Sequence, residues 1–360
     1  MDKDKLFWLR LIRSEKVGPI TFWQLLNRYG TAEQALSALS SLIKQGNHKH
    51  RLASEGEVEK ELKAHHKSGF SLLPANDPAF PQMLRTLPDC PPFISVYGQL
   101  DILNQPTLGI VGARNSSLNG RQFAQKLAVD LGKAGWKIAS GLARGIDRFA
   151  HQGALTHGTI AVIAGGVDII YPPEHKDLYH AIAETGAVIS EMPLSLFPGA
   201  GHFPRRNRLI SGLSRGVIII EAAMKSGSLI TARTTLEQGR ELFAVPGSPL
   251  DPRCRGTNNL IRQGAGLVES AEDVLSVMDG PCIPCLRDDA AKPFVQPLNL
   301  DWNTLEKVVF QDLSPTPISL DAILGRHAVP PQTILTLMLE WELQGRIQRH
   351  PGNMVSLMAS

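Results

Sequence analysis

Between Thr107 and Leu131 the chain reads TLGIVGARNSSLNGRQFAQKLAVDL, and its hydrophobic period changes midway. Leu108, Ile110 and Val111 make a short apolar run of the kind a buried parallel strand needs. The run breaks at Gly112-Ala113-Arg114. Beyond the polar Asn115-Ser116-Ser117, apolar positions return at Phe123, Leu127 and Leu131, four apart, which is helical spacing. Similar alternation continues downstream. Further strands are predicted at Lys137–Ser140, Thr159–Ile163, Ala187–Ser190, Gly216–Ile220, Glu241–Val245 and Gly266–Val268, with helices between them such as Asp147–Thr156 and His175–Thr185. Strands alternating with helices at this spacing predict an α/β fold with a doubly wound parallel sheet.

The flanking segments follow other patterns. Residues 1–70 read as helical, with apolar periodicity at Leu6–Ile12 and Ile20–Tyr29 around the turn Val17-Gly18-Pro19, where proline is placed to begin a helix. This pair is similar to helix-hairpin-helix or sterile-alpha-motif modules. The main domain is assigned to 71–278. Its first part, 74–106, holds seven prolines and reads as an extended connector with one strand at Phe93–Tyr97. A polar, proline-bearing linker covers 279–298. Residues 299–360 predict three helices (Trp302–Asp312, Ser319–Gly325, Pro331–Gln344) and a hairpin, the outline of a winged helix. Its third helix carries Glu340 and Glu342 but no Lys or Arg over 331–343, whereas sequence-specific duplex reading needs donors there. The domain is therefore expected to contact protein, or DNA weakly through Arg346 and Arg349.

Charge changes the picture in one place. The 360 residues carry a net charge of +3. Residues 201–262 hold ten Lys/Arg against four Asp/Glu, a local +6, so the remainder sums to −3. A basic tract in a near-neutral chain predicts a polyanion-binding face. The four cysteines, Cys90, Cys254, Cys282 and Cys285, suit a reducing cytoplasm. No secretory core or 18-residue apolar run is present, so a cytoplasmic protein without membrane contact is expected. Cys282-Ile283-Pro284-Cys285 has CxxC spacing but no second pair or nearby histidine, which argues against a metal.

A strand ending on glycine before a helix offers unpaired N–H groups to an anion, usually a phosphate, and Arg114 adds a bidentate cation. A dinucleotide does not fit. GxGxxG is absent, no acidic residue follows the next strand to hold a ribose, and the Walker pattern is missing. Three later loops extend the phosphate reading. His202-Phe203-Pro204-Arg205-Arg206-Asn207-Arg208 places an aromatic beside three arginines, suited to stacked bases and phosphates. Lys225-Ser226-Gly227-Ser228 follows the apolar strand 217–220 and offers backbone donors. Gly256-Thr257-Asn258-Asn259 forms a polar turn before a short helix. Asp147 and His151 share a helical face, where a helix cap and a hydrogen-bonded histidine account for both more simply than a catalytic pair.

The succession GIVGAR, SGLARGIDRFAH, GGVDIIYPPEH, ISEMPL, FPRRNRLISGLS, EAAMKSGSLITA, AVPGSP and GTNNLI resembles the DprA/Smf family of DNA-processing proteins over about residues 75–275. The resemblance implies an extended Rossmann-like domain that homodimerises, binds single-stranded DNA without base specificity, and protects incoming strands. It also implies delivery of those strands to a RecA-type recombinase in natural transformation. No catalytic residue, metal or cofactor is expected. The candidate DNA-binding residues are Gly112, Arg114, Ser140, Gly141, Lys176, Phe203, Arg205, Arg206, Asn207, Arg208, Lys225, Ser226, Gly227 and Ser228. Two departures stand out. LFPGAGH lacks a basic residue where some relatives carry a lysine, and Lys176 replaces a common asparagine. The rival reading is a nucleoside monophosphate phosphoribohydrolase-like enzyme. Such enzymes carry PGGxGTxxE, whereas here the region reads EAAMKSGSLITA, with Glu221 the only acid close by.

Overall fold

Hydrophobic runs and turn residues place the elements close to where the pattern puts them. A computed structural model describes residues 3–45, 51–278, 302–327 and 329–358. Helices α1 (Lys3–Arg13), α2 (Pro19–Tyr29), α3 (Ala32–Gln45) and α4 (Glu55–Ser68) come first. Pro19 is the first residue of α2, with Gly18 as its cap. The proline-rich connector holds more structure than expected. It forms β1 (Ser71–Pro74), the short α5 (Gln82–Arg85) and β2 (Phe93–Gly98). The two strands pair antiparallel with Pro74 opposite Phe93. β1 is the outermost strand, where a proline's missing N–H leaves no central ladder bond broken.

The parallel strands and their helices follow: β3 (Thr107–Gly112), α6 (Leu118–Lys133), β4 (Lys137–Ser140), α7 (Ile146–Ala154), β5 (Thr159–Val162), α8 (Lys176–Thr185) and β6 (Ala187–Ser190). Then come α9 (His202–Leu213), β7 (Gly216–Ile220), α10 (Gly227–Glu237), β8 (Glu241–Ala244), α11 (Arg255–Arg262), β9 (Gly266–Leu267) and α12 (Ala271–Met278). One sheet runs β1-β2-β6-β5-β4-β3-β7-β8-β9. It is parallel from β6 through β9, with β2 joined antiparallel to β6. α6 buries Ala124, Leu127, Ala128 and Leu131, one helical stripe, against Leu108, Ile110, Ile138 and Ile218 of the strands. Each fully buried leucine there stabilises the fold by roughly 1.5–3 kcal/mol. The other sheet face packs Val188 and Ala161 on Tyr179 and Ile182 of α8. From β3 the chain steps outward to β6, then returns to β7 on the opposite side of β3. The order therefore reverses between β3 and β7, and ligands bind outside the strand ends at such a point.

The C-terminal residues form α13 (Trp302–Gln311), β10 (Ile318–Ser319), α14 (Leu320–Arg326), α15 (Pro331–Leu343), β11 (Ile347–His350) and β12 (Met354–Leu357). Their sheet runs β10-β12-β11 over a core of Ile334, Leu337, Met338 and Trp341. The chain divides into two units: Met1–Lys60, Pro88–Pro92 and Ala291–Ser360 in one, Glu61–Leu87 and Phe93–Ala290 in the other. The expected linker 279–298, with Cys282 and Cys285, lies outside the described residues. No described helix is long and apolar enough to cross a membrane.

Candidate nucleic-acid interface

Several of the backbone donors offered by the β3–α6 and β4–α7 turns are already occupied. Glu221, at the end of β7, accepts a hydrogen bond from the Ser117 N–H at 2.8 Å and another from the Ser117 hydroxyl. Ser117 in turn caps α6 by accepting from the Gly120 N–H. Gly120 has no room for a side chain because the Glu221 carboxyl sits 2.7 Å from where a Cβ would be. Glu221 holds a left-handed φ of 53°, and it is 8% exposed. Asp147 does the same for the neighbouring loops. Its carboxylate accepts from the N–H groups of Gly141 and Ala143, at 3.1 and 3.4 Å, and from Gly112. Internal carboxylates thus take the N–H groups of Ser117, Gly141, Ala143 and Gly112, which the sequence pattern offers to a phosphate.

Asp147 is not the cap of α7, which is Gly145; it is the second residue of that helix, turned inward. It faces Arg206, whose guanidinium fills the space beside Gly141, 1.7 Å from where a Cβ would stand. Burial pushes the Asp147 carboxyl up and the Arg206 guanidinium down, and their mutual attraction opposes both. Arg206 also donates to the Val162 carbonyl at 2.8 Å. His151 is buried separately. Its Nε2 accepts from the Leu142 N–H at 3.3 Å and its Nδ1 lies 2.7 Å from the Thr159 hydroxyl. Thr159 donates onward to the Ile138 carbonyl, so the imidazole is the neutral Nδ1–H tautomer. Burial lowers its pKa to about 3, helped by His175 and Arg206.

Above this floor opens a cleft of about 630 Å³ at the carboxyl ends of β3 and β7. Arg114, exposed in the loop after β3, holds its guanidinium 4.9 Å from the ring centre of Phe203 at the start of α9. Tyr171, 48% exposed, lies 6.1 Å from Phe203. Lys225 stands exposed at the rim beside α10, where Ser226 accepts from the Ser228 N–H and Ser228 donates to the Gly112 carbonyl. Arg253, clamped by Asp251, completes the cationic rim. A small recess beside the cleft is lined by Arg114, Arg144, Gly141, Tyr171 and Phe203.

Nine of the predicted residues line the cleft: Gly112, Arg114, Phe203, Arg206, Asn207, Lys225, Ser226, Gly227 and Ser228. Gly141 lies in the recess. Four do not line either cavity. Ser140 is buried and donates to the Ile110 carbonyl at 2.6 Å. Lys176 starts α8, away from both cavities. Arg208 is buried in an ion pair with Glu191, and the exposed Arg205 approaches the same carboxylate at 3.9 Å. The basic tract is accordingly not one face. Of its ten cations, Arg206, Lys225 and Arg253 line the cleft. Arg215 lies against Trp136, and Arg233 pairs with Glu237. Helix α9 explains the dispersal, since three arginines at 205, 206 and 208 point in different directions around it. Tyr171, Arg144 and Arg253 were not singled out; a cation or aromatic at a strand's carboxyl end was the available signal.

Three family models match. That of DNA recombination-mediator protein A covers residues 71–279, the DprA-like N-terminal HHH domain 2–64, and the DprA winged helix domain 296–353. Protein Smf of Escherichia coli is 39% identical over 289 residues, 79% of this chain and 77% of that protein. The crystal structure of DNA processing protein A from Streptococcus pneumoniae superposes with a TM-score of 0.64 at 35% identity, covering 77% of this chain and 98% of that one. DNA processing protein A from Helicobacter pylori, known for a single-stranded DNA binding mode of its own, gives 0.54 at 31% identity over 58% and 95%. With its sheet, its helical N-terminal segment and its winged helix all matched, the chain belongs to the DprA/Smf family.

Proposed function

We propose that the cleft between the ends of β3 and β7 holds single-stranded DNA by its phosphates and a few stacked bases, without reading base edges. The observation that carries this reading is the stacked pair Arg114–Phe203 with Tyr171 beside it, in a cleft rimmed by Lys225 and Arg253. Exposed cations next to aromatic faces suit a flexible polyanion with unpaired bases. Binding of single-stranded DNA by the Helicobacter pylori relative supports it. The protein acts as a binder and not as an enzyme. A hydrolase of nucleotides would need Glu221 at the ribose, and that carboxylate is engaged by Ser117. In the cell, the bound strand is DNA taken up in natural transformation, protected and passed to a RecA-type recombinase. The protein works as a homodimer through the Rossmann-like domain. Fluorescence anisotropy with matched single- and double-stranded oligonucleotides at two salt concentrations tests the core of this proposal. Tight, salt-sensitive binding of the single strand is expected; equal or stronger binding of duplex, or none in dilute buffer, overturns it.

A further inference from the structure

In helix-turn-helix folds the recognition helix is the element that enters the major groove. Here α15 is occupied on two sides. Trp341, Leu337 and Met338 fill the core of the winged helix itself. Leu339 and Leu343 belong to the core of the N-terminal helices, with Phe22, Leu25 and Leu36. Polar groups complete the seam. Arg28 of α2 lies 2.5 Å from Glu340 and 3.7 Å from Glu306, with its guanidinium 4.9 Å from the Trp302 ring. The Tyr29 hydroxyl donates to Glu340 at 2.9 Å, and Lys16 pairs with Glu342. The arginines near the wing are engaged as well: Arg346 sits 4.0 Å over Phe310 and Arg349 pairs with Glu342.

We propose that the C-terminal winged helix is a protein-docking module whose occupant is the chain's own N-terminal helical domain, so that α15 is withheld from duplex DNA. The chemistry of the helix agrees with its occupancy. Residues 331–343 carry two carboxylates and no cation, and phosphates would repel that face. Glu340 is only 3% exposed, and a buried carboxylate needs the partner that Arg28 supplies. The inference does not depend on the single-stranded DNA reading, which concerns the other unit.

Hydrogen exchange read by mass spectrometry on the full chain tests it. Arg28→Glu is expected to raise exchange at least about tenfold in both 19–29 and 331–343, because it places three carboxylates together. Combining it with Glu340→Arg is expected to restore most of the protection in both segments. Unchanged exchange at 331–343 in Arg28→Glu overturns the proposal. A second arm needs no mutation: saturating mixed-sequence duplex at low salt should leave exchange at 331–343 in the wild-type chain unchanged. Protection of that segment by duplex overturns it equally.

Discussion

Glu221 reaches from the end of β7 to the first turn of α6 and accepts both the N–H and the hydroxyl of Ser117. The one acid near the loop where a nucleotide hydrolase would carry its catalytic glutamate is here a tie between the end of β7 and the start of α6. Replacing it with alanine strips a buried N–H of its acceptor. The expected loss is about 1–3 kcal/mol of stability, measured by urea unfolding. Wild-type protein incubated with nucleoside monophosphates should release no free base, and release of base would return Glu221 to a catalytic role.

Arg114 and Lys225 stand in the solvent at the cleft, whereas Arg206 is buried beneath it. Arg114→Ala and Lys225→Ala should weaken binding of all single strands about equally and keep the fold. Each should also reduce the slope of log affinity against log salt by about 0.7. Arg206→Ala removes the cation that attracts the buried Asp147 carboxylate and strips the Val162 carbonyl of its donor, a destabilisation of about 1–3 kcal/mol. Its defect should appear first in thermal unfolding.

Phe203 contributes an aromatic face and no charge. Phe203→Ala should cost roughly 1–3 kcal/mol of binding with an unchanged salt slope, and Phe203→Trp should retain most of it. An altered slope in Phe203→Ala would mean that the ring acts only by holding Arg114.

Acid acts in opposite directions on two buried groups, one in each unit. His151 is held to a pKa of about 3 in the fold against 6.5 when free, so the unfolded chain binds the extra proton. The stability that neutral His151 contributes to the sheet unit is full above pH 6.5 and falls as pH drops from there toward 3. Glu340 is raised to about 7, chiefly by burial and against the pull of Arg28 and the Tyr29 hydroxyl, while Glu306 pushes it further up. Lys16 and Arg349 face the neighbouring Glu342. The folded state there binds the extra proton, so its contribution is full below about 4.5 and is lost as pH rises through 7. Exchange at 331–343 should therefore speed up between pH 5 and 8 after correction for intrinsic rates, and Glu340→Gln should flatten the profile. A flat wild-type profile would contradict the assignment.

The inner strands were legible because most of their residues are apolar or small and buried on both faces. Lys137–Ser140, Ala187–Ser190 and Gly216–Ile220 fall where the pattern places them. β1 was missed because four residues ending in Pro74 form an edge strand with no periodicity of their own. At the site, Arg114, Phe203 and Lys225 were readable as cations and an aromatic at strand ends. Their neighbours Arg206 and Arg208 were read as partners for phosphates, and the structure buries both beside Asp147 and Glu191, since residue type records a charge but not its depth.

The sequence by itself determined the alternation of strands and helices, the glycines at the strand ends, and the basic tract, because period and steric permission are local properties. Which backbone donors remained for a ligand was decided only in three dimensions. Asp147 lies 35 residues from Gly112, and Glu221 lies 104 from Ser117. Folding delivers those carboxylates to the turns, occupies several of the anion-binding N–H groups from within, and leaves Arg114 and Lys225 as the exposed cations of the cleft, with Arg253 half-buried at its rim.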